Sequence, residues 1–202
     1  MAQDIHIQRA LKHLRKADPV LEKVIRKAGP FRLNLRHDRF QALVHAIVSQ
    51  QISGKAARSI WERLKNAAAP MSAATIRTLS IDELRKVGLS RQKAAYILDL
   101  ANHVGDGRLE LRRIGRLTDA EVIDALVAVK GIGVWTAQMF LIFSLGRLDV
   151  LPHSDLGVRM AIQRLYGLEE LPNRETCHRI AEPWRPYASV ATWYCWRSLD
   201  SL

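Results

Sequence analysis

The spacing of the apolar residues is helical along almost the whole chain, and this spacing constrains the fold more than any other feature. One helix face, for example, is formed by Leu21, Val24, Ile25 and Ala28 and ends at a Gly-Pro pair. Apolar residues three and four apart are typical of amphipathic helices. The single alternating segment, residues 31–37 (FRLNLRH), is too short to found a sheet. The sequence therefore predicts an all-α fold of about ten helices joined by short loops.

Capping signals support several of the predicted helix starts. Ser80 and Thr118 are each followed three residues later by a glutamate, which is the capping-box pattern, and Ser90 begins another apolar-periodic segment. The chain has 202 residues and contains no exact repeat and no low-complexity linker. A chain of this length can bury a substantial core, so we expect a single domain over residues 1–202.

The charge balance is strongly basic and indicates an anionic partner. Lysine and arginine number 31 against 20 acidic residues, and the formal net charge is +11. Nucleic acid and an anionic membrane surface both fit this charge, and a merely soluble basic protein is the alternative. No apolar run reaches membrane-spanning length, and the amino terminus has no signal-peptide core. We therefore expect a soluble, intracellular protein without a membrane partner.

The cysteine and histidine positions argue against a metal centre built from side chains. Cys177 and Cys195 are the two cysteines of the chain. Two thiolates cannot complete a four-cysteine zinc site or an iron–sulfur cluster, so both are expected to be buried small side chains. His45, His153 and His178 lack partners at metal-ligand spacing, and we expect each to be a cap or a packed residue.

A glycine turn interrupts the helical pattern at residues 129–138 (VKGIGVWTAQ). Gly131 and Gly133 can adopt a positive φ or allow a close approach of another backbone. The following apolar segment predicts a new helix, and a helix start presents unpaired N–H groups that suit a phosphate. Taken alone, the pattern is also compatible with a tight turn between two helices that binds nothing.

The order of motifs from Gly131 to Asp155 resembles the helix-hairpin-helix (HhH-GPD) DNA glycosylases. The hairpin sequence GIGVWTA is followed by an apolar helix, then by DVLP and Asp155. Lys130 stands where the family commonly has proline, and a lysine keeps its N–H and adds positive charge. Three further segments, residues 42–53, 87–101 and 183–196, are similar to the alkyladenine branch, of the 3-methyladenine glycosylase II type. The chain starts too late to include an amino-terminal β domain, so it resembles the compact members.

The resemblance also implies an architecture and a function. It places residues 1–38 and 168–202 in one lobe, residues 39–167 in the other, and the active cleft between the lobes. The implied activity is removal of alkylated purines, of the 3-methyladenine and 7-methylguanine type, from duplex DNA by base flipping, which initiates base excision repair. A monomer is expected, in the cytoplasm or nucleoid of a bacterium or in the nucleus of a eukaryote.

Asp155 takes the place of the essential carboxylate of the family. Breaking an N-glycosidic bond builds positive charge on the deoxyribose, and a fixed anion nearby stabilises that charge. Whether the carboxylate also acts as a base toward water stays open. Asp155 or Ser154 is equally suited to be an ordinary N-cap, and both roles can hold at once.

Two tryptophans are candidates for the base pocket. By the resemblance, Trp135 stands where bifunctional members carry a lysine that attacks the sugar, so the chain is expected to be monofunctional, without lyase activity. Its indole can stack on an extruded cationic base, and a core-filling role is the alternative. Trp193 matches a second pocket aromatic, whereas Trp184, Tyr187 and Trp196 are expected to be structural.

Three groups of residues are expected to contact DNA. The hairpin contributes Lys130, Gly131, Ile132, Gly133, Val134 and Thr136. A second helix start contributes Ser90, Arg91 and Lys93, although a solvated basic turn is the alternative there. The segment Gln50, Gln51, Ile52 and Ser53 resembles the wedge loop that fills the gap left by the flipped base, and a simple helix end is its alternative.

No cofactor is expected to be required. The resemblance implies Na⁺ or K⁺ on the backbone carbonyls of Val127, Val129 and Ile132, and no iron–sulfur cluster. Two other functions compete with the implied one. The first is a glycosylase for other damaged or mismatched bases, and the second is a non-catalytic hairpin module that only binds DNA.

Overall fold

The computed structural model describes residues 2–200, with side chains from His6 onward, and this part of the chain is helical without any strand. Its α-helices are α1 (Ala2–Ala17), α2 (Pro19–Ala28), α3 (Arg39–Ser49), α4 (Gly54–Ala67), α5 (Ala73–Arg77), α6 (Ile81–Lys86), α7 (Arg91–Gly105), α8 (Asp119–Val127), α9 (Val134–Phe143), α10 (Leu156–Tyr166), α11 (Arg174–Ala181) and α12 (Ala188–Asp200). Two short 3₁₀ helices lie at Ile114–Arg116 and Glu182–Trp184. The all-α prediction is confirmed. Within residues 2–200, no helix has the length and apolar character needed to cross a membrane.

The capping signals are used as the sequence predicts. The Ser80 hydroxyl accepts the N–H of Glu83 at 3.2 Å, and the Glu83 carboxylate accepts the N–H of Ser80 at 2.8 Å. Thr118 and Glu121 form the same reciprocal pair at the start of α8. Each box satisfies N–H groups that a helix start would otherwise leave unpaired, which fixes where α6 and α8 begin.

The segment with alternating apolar residues, 31–37, is irregular rather than extended into a strand. Within it, the Arg36 N–H donates to the carbonyl oxygen of Phe143, at the end of α9, at 2.8 Å. A strand needs a neighbour to complete its hydrogen bonds, and the structure describes none for this segment.

The chain divides into two compact units. The terminal unit comprises residues 1–34 and 146–202, and the central unit comprises residues 35–145. The terminal unit contains α1, α2, α10, α11 and α12, and its core includes the fully buried Leu14, Leu21, Ile25, Trp184 and Tyr194. Cys177 and Cys195 are free and buried in this core, so the expectation that they act as buried small side chains is confirmed.

A buried carboxylate ties the terminal unit together. Asp18, which is 6% exposed, caps α2 through Oδ1, which accepts the N–H groups of Val20 at 2.9 Å and Leu21 at 3.0 Å. Its Oδ2 accepts the indole N–H of Trp184 at 2.8 Å and the hydroxyl of Tyr166. Desolvation and the contact with Asp18 raise the pKa of Tyr166 well above its usual range. The carboxylate therefore joins α2, α10 and the second 3₁₀ helix.

The central unit contains α3 to α9. Fully buried side chains from α3, α4 and α7 form much of its core, including Leu43, Ile47, Leu64, Ile97 and Leu100. Helix α7 packs against α3, α5 and α6, and α8 packs against α9. The glycine turn between α8 and α9 therefore packs on the helical core of the central unit.

The boundary between the two units differs from the boundary predicted between the lobes. Residues 146–167 group with the terminal helices, whereas the sequence placed them in the middle lobe. The reason is the apolar face of α10, since Val158, Ala161 and Ile162 are buried in the core shared with α12. The division falls after residue 145, at the end of the segment that contains α9.

Candidate active site

The first glycine of the hairpin is required by its surroundings. Gly131 has φ 82°, a conformation that favours glycine. A Cβ atom at this position would lie 2.1 Å from Cδ2 of Tyr96 and 2.4 Å from its Cγ, distances that no side chain can occupy. The turn between α8 and α9 is therefore pressed against the ring of Tyr96 on α7.

Hydrogen bonds inside the central unit hold the hairpin from several directions. The Lys130 N–H donates to Oδ2 of Asp99 at 2.8 Å, and the Ile132 N–H donates to the carbonyl oxygen of Val129 at 3.1 Å. The Gln50 amide nitrogen donates to the carbonyl oxygen of Gly131 at 2.9 Å. Lys130 and Ile132 thus use their N–H groups within the protein, and the Ile132 side chain is buried. Their backbone amides are not the phosphate donors, although the exposed Lys130 side chain stays a predicted contact.

The start of α9 presents its amides outward. Gly133 is the N-cap residue, and no side chain in the described part of the protein caps this helix. Gly133 and Val134 are both exposed, and an added Cβ at Gly133 would have no described atom within 4 Å. The Thr136 side chain is buried, so this residue offers its backbone rather than its hydroxyl. An open, uncapped helix start of this kind is suited to one phosphate.

A pocket of about 590 Å³ opens in the central unit beside the hairpin. The structure brings several predicted site residues to this pocket, whose lining includes Trp135, Gln50, Gln51, Gly131 and Gly133. Trp135 is 44% exposed, so the alternative that it fills the core is wrong. Met139 and Phe143 extend the aromatic and apolar wall. Met139 could have been found from sequence, because it lies four residues after Trp135 on the same helix face.

His45 is a pocket residue, whereas the sequence predicted only a cap or a packed residue. It lines the pocket, and its Nδ1 lies 3.3 Å from Nη1 of Arg36. Burial, and secondarily the positive charge of Arg36, lower the pKa of His45. The lowered pKa favours the neutral imidazole at pH 7, the form that adds no positive charge to the pocket wall.

The predicted wedge loop divides into residues with different roles. The Gln50 side chain turns inward to the hairpin, and the Ser53 hydroxyl caps α4 by accepting the N–H of Ala56 at 3.3 Å. Gln51 is exposed with φ 54°, a conformation that is uncommon outside glycine. Ile52 is 36% exposed, although its side chain is large and apolar. Gln51 and Ile52 are therefore the loop residues that remain suited to insertion.

Lys93 has a different role from the predicted phosphate contact. Its ammonium donates to the carbonyl oxygen of Val48 at 2.8 Å and to that of Gln50 at 2.6 Å. The carbonyl groups at the end of α3 lack N–H partners within the helix, and the Lys93 side chain on α7 donates hydrogen bonds to two of them. Burial lowers the pKa of this lysine. Ser90 caps α7, and Arg91 is exposed at its first turn, where a phosphate contact stays a prediction.

Asp155 lies in the terminal unit as the N-cap of α10. Its Oδ1 accepts the N–H of Val158 at 2.8 Å, so the N-cap role is confirmed. The same oxygen accepts the indole N–H of Trp196 at 2.9 Å. Trp196 was expected to be only structural, and no local pattern could have paired it with Asp155, since the two residues are 41 positions apart.

Trp193 also lies in the terminal unit, and its contacts there are packing contacts. Its ring lies edge-on to Phe31 and Tyr194, with centroids 5.1 Å and 4.9 Å away, and the Arg197 guanidinium lies 5.7 Å from its centroid. The ring is partly buried, and a base-pocket role for Trp193 stays a prediction.

The remaining histidines of interest are packed, as expected. The rings of His153 and His178 lie with centroids 5.1 Å apart. Among residues 6–200, no three side chains of the metal-ligating types come together.

The family comparison matches the hairpin and the helices around it. The HhH-GPD superfamily of base excision DNA repair proteins matches residues 44–186, which include the glycine turn and Asp155. The chain belongs to this superfamily. The resemblance drawn from the motifs is confirmed.

Similar proteins carry 3-methyladenine glycosylase names. DNA-3-methyladenine glycosylase 1 of Schizosaccharomyces pombe is 31% identical over 92% of this chain and 85% of its own length. The structure of a Schizosaccharomyces pombe 3-methyladenine DNA glycosylase in complex with abasic DNA superposes with TM-score 0.85 at 30% identity, covering 95% of this chain and 97% of that one. A DNA-3-methyladenine glycosidase from Bacillus halodurans superposes with TM-score 0.86 at 36% identity, covering 94% and 88% of the two chains. The HhH-GPD chain described here therefore shares the compact fold of these proteins.

Proposed function

We propose that this HhH-GPD protein removes alkylated purines from duplex DNA by hydrolysing the N-glycosidic bond and leaves an intact abasic site. The observation that carries the proposal is the position of Trp135. The Trp135 indole is 44% exposed and lines a pocket of about 590 Å³, which has room for a purine, and the resemblance places a lysine at this position in bifunctional enzymes. An indole cannot form a Schiff base, so the enzyme hydrolyses the bond without cutting the strand.

The pocket chemistry favours cationic bases. N3-methyladenine and N7-methylguanine carry a formal positive charge in DNA, and an aromatic face attracts a cation by about 0.5–2 kcal/mol. A neutral His45 does not repel a cationic base, and Met139 and Phe143 complete a largely apolar surface. Such a pocket holds a flat base by stacking and burial.

Asp155 supplies the negative charge that the reaction needs. As the bond between C1′ and the ring nitrogen breaks, its electron pair moves to the base, which leaves as a neutral purine. Positive charge develops on the deoxyribose, and the Asp155 carboxylate stabilises it electrostatically. Water then adds to C1′ and loses its proton. A cationic base is a good leaving group, so one carboxylate and a stacking pocket are sufficient.

The hairpin holds the DNA backbone beside the pocket. The open amides of Gly133 and Val134 at the start of α9 bind one phosphate without reading the base sequence. The net charge of +11 adds salt-dependent affinity over the rest of the backbone. Gln51 and Ile52 are the candidates to fill the space of the extruded nucleotide.

The hairpin is also suited to Na⁺ or K⁺. The Val127 carbonyl lies at the end of α8 and accepts no described backbone N–H from beyond that helix. Val129 accepts one N–H, from Ile132, and a carbonyl oxygen has a second lone pair. With the carbonyl of Ile132, these oxygens would hold the ion, whose charge would add to the attraction for phosphate. DNA affinity is expected to be higher in Na⁺ or K⁺ than in tetramethylammonium at equal ionic strength.

The proposal is tested by base release from duplex DNA that contains N7-methylguanine or N3-methyladenine. Wild type and Asp155→Asn are compared, each with and without alkali after the reaction. We expect base release by wild type, strand breaks only after alkali, and loss of release in the variant. Strand breaks without alkali would overturn the monofunctional assignment. Intact DNA binding without release of either base would favour another lesion class, and then a module that only binds DNA.

A further inference from the structure

We propose that Trp196 is a positioning residue that holds the Asp155 carboxylate in its working orientation, and that Gly157 is the position that lets the indole reach it. This inference rests on the proposed role of Asp155 in the reaction. It gives a role in positioning to Trp196, which the sequence predicted to be only structural, and to Gly157, for which the sequence predicted no role.

The first observation is the pair of donors on one oxygen. Oδ1 of Asp155 accepts the Val158 N–H at 2.8 Å, which comes from the helix that Asp155 itself caps. It also accepts the indole N–H of Trp196 at 2.9 Å, which comes from α12. One donor alone allows the carboxylate to rotate about its Cβ–Cγ bond. Two donors from different helices restrict that rotation and fix the plane of the group.

The second observation is the space at Gly157. A Cβ atom on this residue would lie 3.1 Å from Cδ1 of Trp196 and 3.2 Å from Oδ1 of Asp155. These distances are tighter than ordinary contact, so an alanine would push the indole away from the carboxylate by a few tenths of an ångström. The absence of a side chain at Gly157 therefore leaves room for the indole to reach the carboxylate.

The Trp196 indole is itself held by packing. Trp196 is partly buried and packs against the core of the terminal unit, which includes Tyr194 and Val158. A side chain with only two rotatable bonds, packed in this way, is a rigid donor. The indole N–H therefore keeps its hydrogen bond to Asp155, and no flexible side chain has to become ordered in each reaction cycle.

A fixed orientation matters because the anion acts on charge that exists only in the transition state. The stabilisation depends on the distance and direction from the carboxylate to the sugar, and a preorganised group needs no reorganisation as the bond breaks. Misplacement of a reacting or stabilising group by about 1 Å can reduce the rate by about 100-fold. Loss of the Trp196 contact should therefore reduce turnover more than it reduces DNA binding.

The test uses Trp196→Phe, which removes the N–H and keeps an aromatic ring, and Gly157→Ala, which keeps the N–H and displaces the indole. Base release is measured under single turnover, together with DNA affinity and the melting temperature. For each variant we expect the single-turnover rate constant to fall about 10- to 100-fold, with DNA affinity changed less than threefold. In the double variant the two effects should be less than multiplicative, because both act through one contact.

Trp184→Phe is the matched control, because it also removes an indole N–H from a buried aspartate, Asp18, in the same unit. It should lower the melting temperature without changing the rate constant of the folded enzyme. The inference is overturned if Trp196→Phe turns over like wild type, or if its rate falls only in proportion to its loss of folded protein. If wild type releases no base, the proposed function has failed instead. In that case the indole resonance of Trp196, expected to shift in Asp155→Ala, still tests the contact.

Discussion

Gly131 lies so close to the ring of Tyr96 that a Cβ atom would be 2.1 Å from the ring carbon Cδ2. The contact joins the hairpin turn to α7, and the glycine also has φ 82°. Gly131→Ala must therefore displace the ring and strain the backbone at once. We expect a loss of unfolding free energy of about 2–4 kcal/mol and a weaker affinity for DNA, measured by denaturant titration and by binding to a duplex.

Gly133 is the matched comparison, because its φ is −96° and no described atom lies within 4 Å of an added Cβ. Gly133→Ala should leave stability within about 0.5 kcal/mol of wild type. It should still weaken DNA binding, since the methyl group lies where the phosphate approaches the amides. Unchanged affinity in Gly133→Ala would contradict the assignment of this helix start as the phosphate site.

Lys93 was predicted to contact DNA, but its hydrogen bonds indicate that it stabilises the fold. Lys93→Met removes the donor to the carbonyls of Val48 and Gln50. We expect a loss of about 1–3 kcal/mol of unfolding free energy, because the last carbonyls of α3 lose their partner. Lys86→Met, at an exposed lysine of α6, is the control and should change stability little. An equal effect on DNA affinity in the two variants would exclude a direct phosphate contact by Lys93.

Asp18 should be among the most important polar residues for stability. Asp18→Asn replaces a carboxylate oxygen that accepts both the Trp184 indole and the Tyr166 hydroxyl. With an amide NH2 in place of Oδ2, the Tyr166 hydroxyl can turn to accept, but the Trp184 indole N–H loses its acceptor inside the core, at a cost of about 3 kcal/mol. Urea unfolding measures the change. Asp38→Asn is the control, because Asp38 is an exposed N-cap of α3 and asparagine caps a helix equally well.

His153 should make stability depend on pH on the acid side of neutrality. Burial, and then the neighbouring His178 and Arg174, lower the pKa of His153 below 6.5. The unfolded chain therefore binds a proton at higher pH than the folded protein does. Stability is expected to fall as pH drops through 6.5 and to level off below the folded-state pKa.

The measurement is denaturant unfolding between about pH 7.5 and pH 4.5, a range that extends to both sides of the usual histidine pKa. His153→Phe, which keeps a ring against His178, should show a shallower loss of stability with acid than wild type. His37→Gln, at an exposed histidine, should follow the wild-type curve. A His153→Phe curve parallel to wild type would mean that protonation of this residue does not destabilise the fold.

Local patterns were sufficient for the helices, their caps and the hairpin. Apolar spacing and capping boxes depend on residues three or four apart, and the Ser80–Glu83 and Thr118–Glu121 boxes form where the sequence placed them. The glycine turn and the N-cap position of Asp155 are local for the same reason. Motif order from Gly131 to Asp155 was enough to place the chain in its superfamily.

Contacts between distant residues could not be read from the chain. The Lys93 ammonium donates hydrogen bonds to carbonyl oxygens 43 and 45 residues away in the sequence. The Trp196 indole donates one to the Asp155 carboxylate, 41 residues away. A lysine at a helix start has the same local pattern whether it faces solvent or another helix. Its partner depends on how α3 and α7 pack, which is a property of the folded core. For this reason the sequence was sufficient for the hairpin and for the N-cap position of Asp155, whereas the folded structure identified the side chains that contact them.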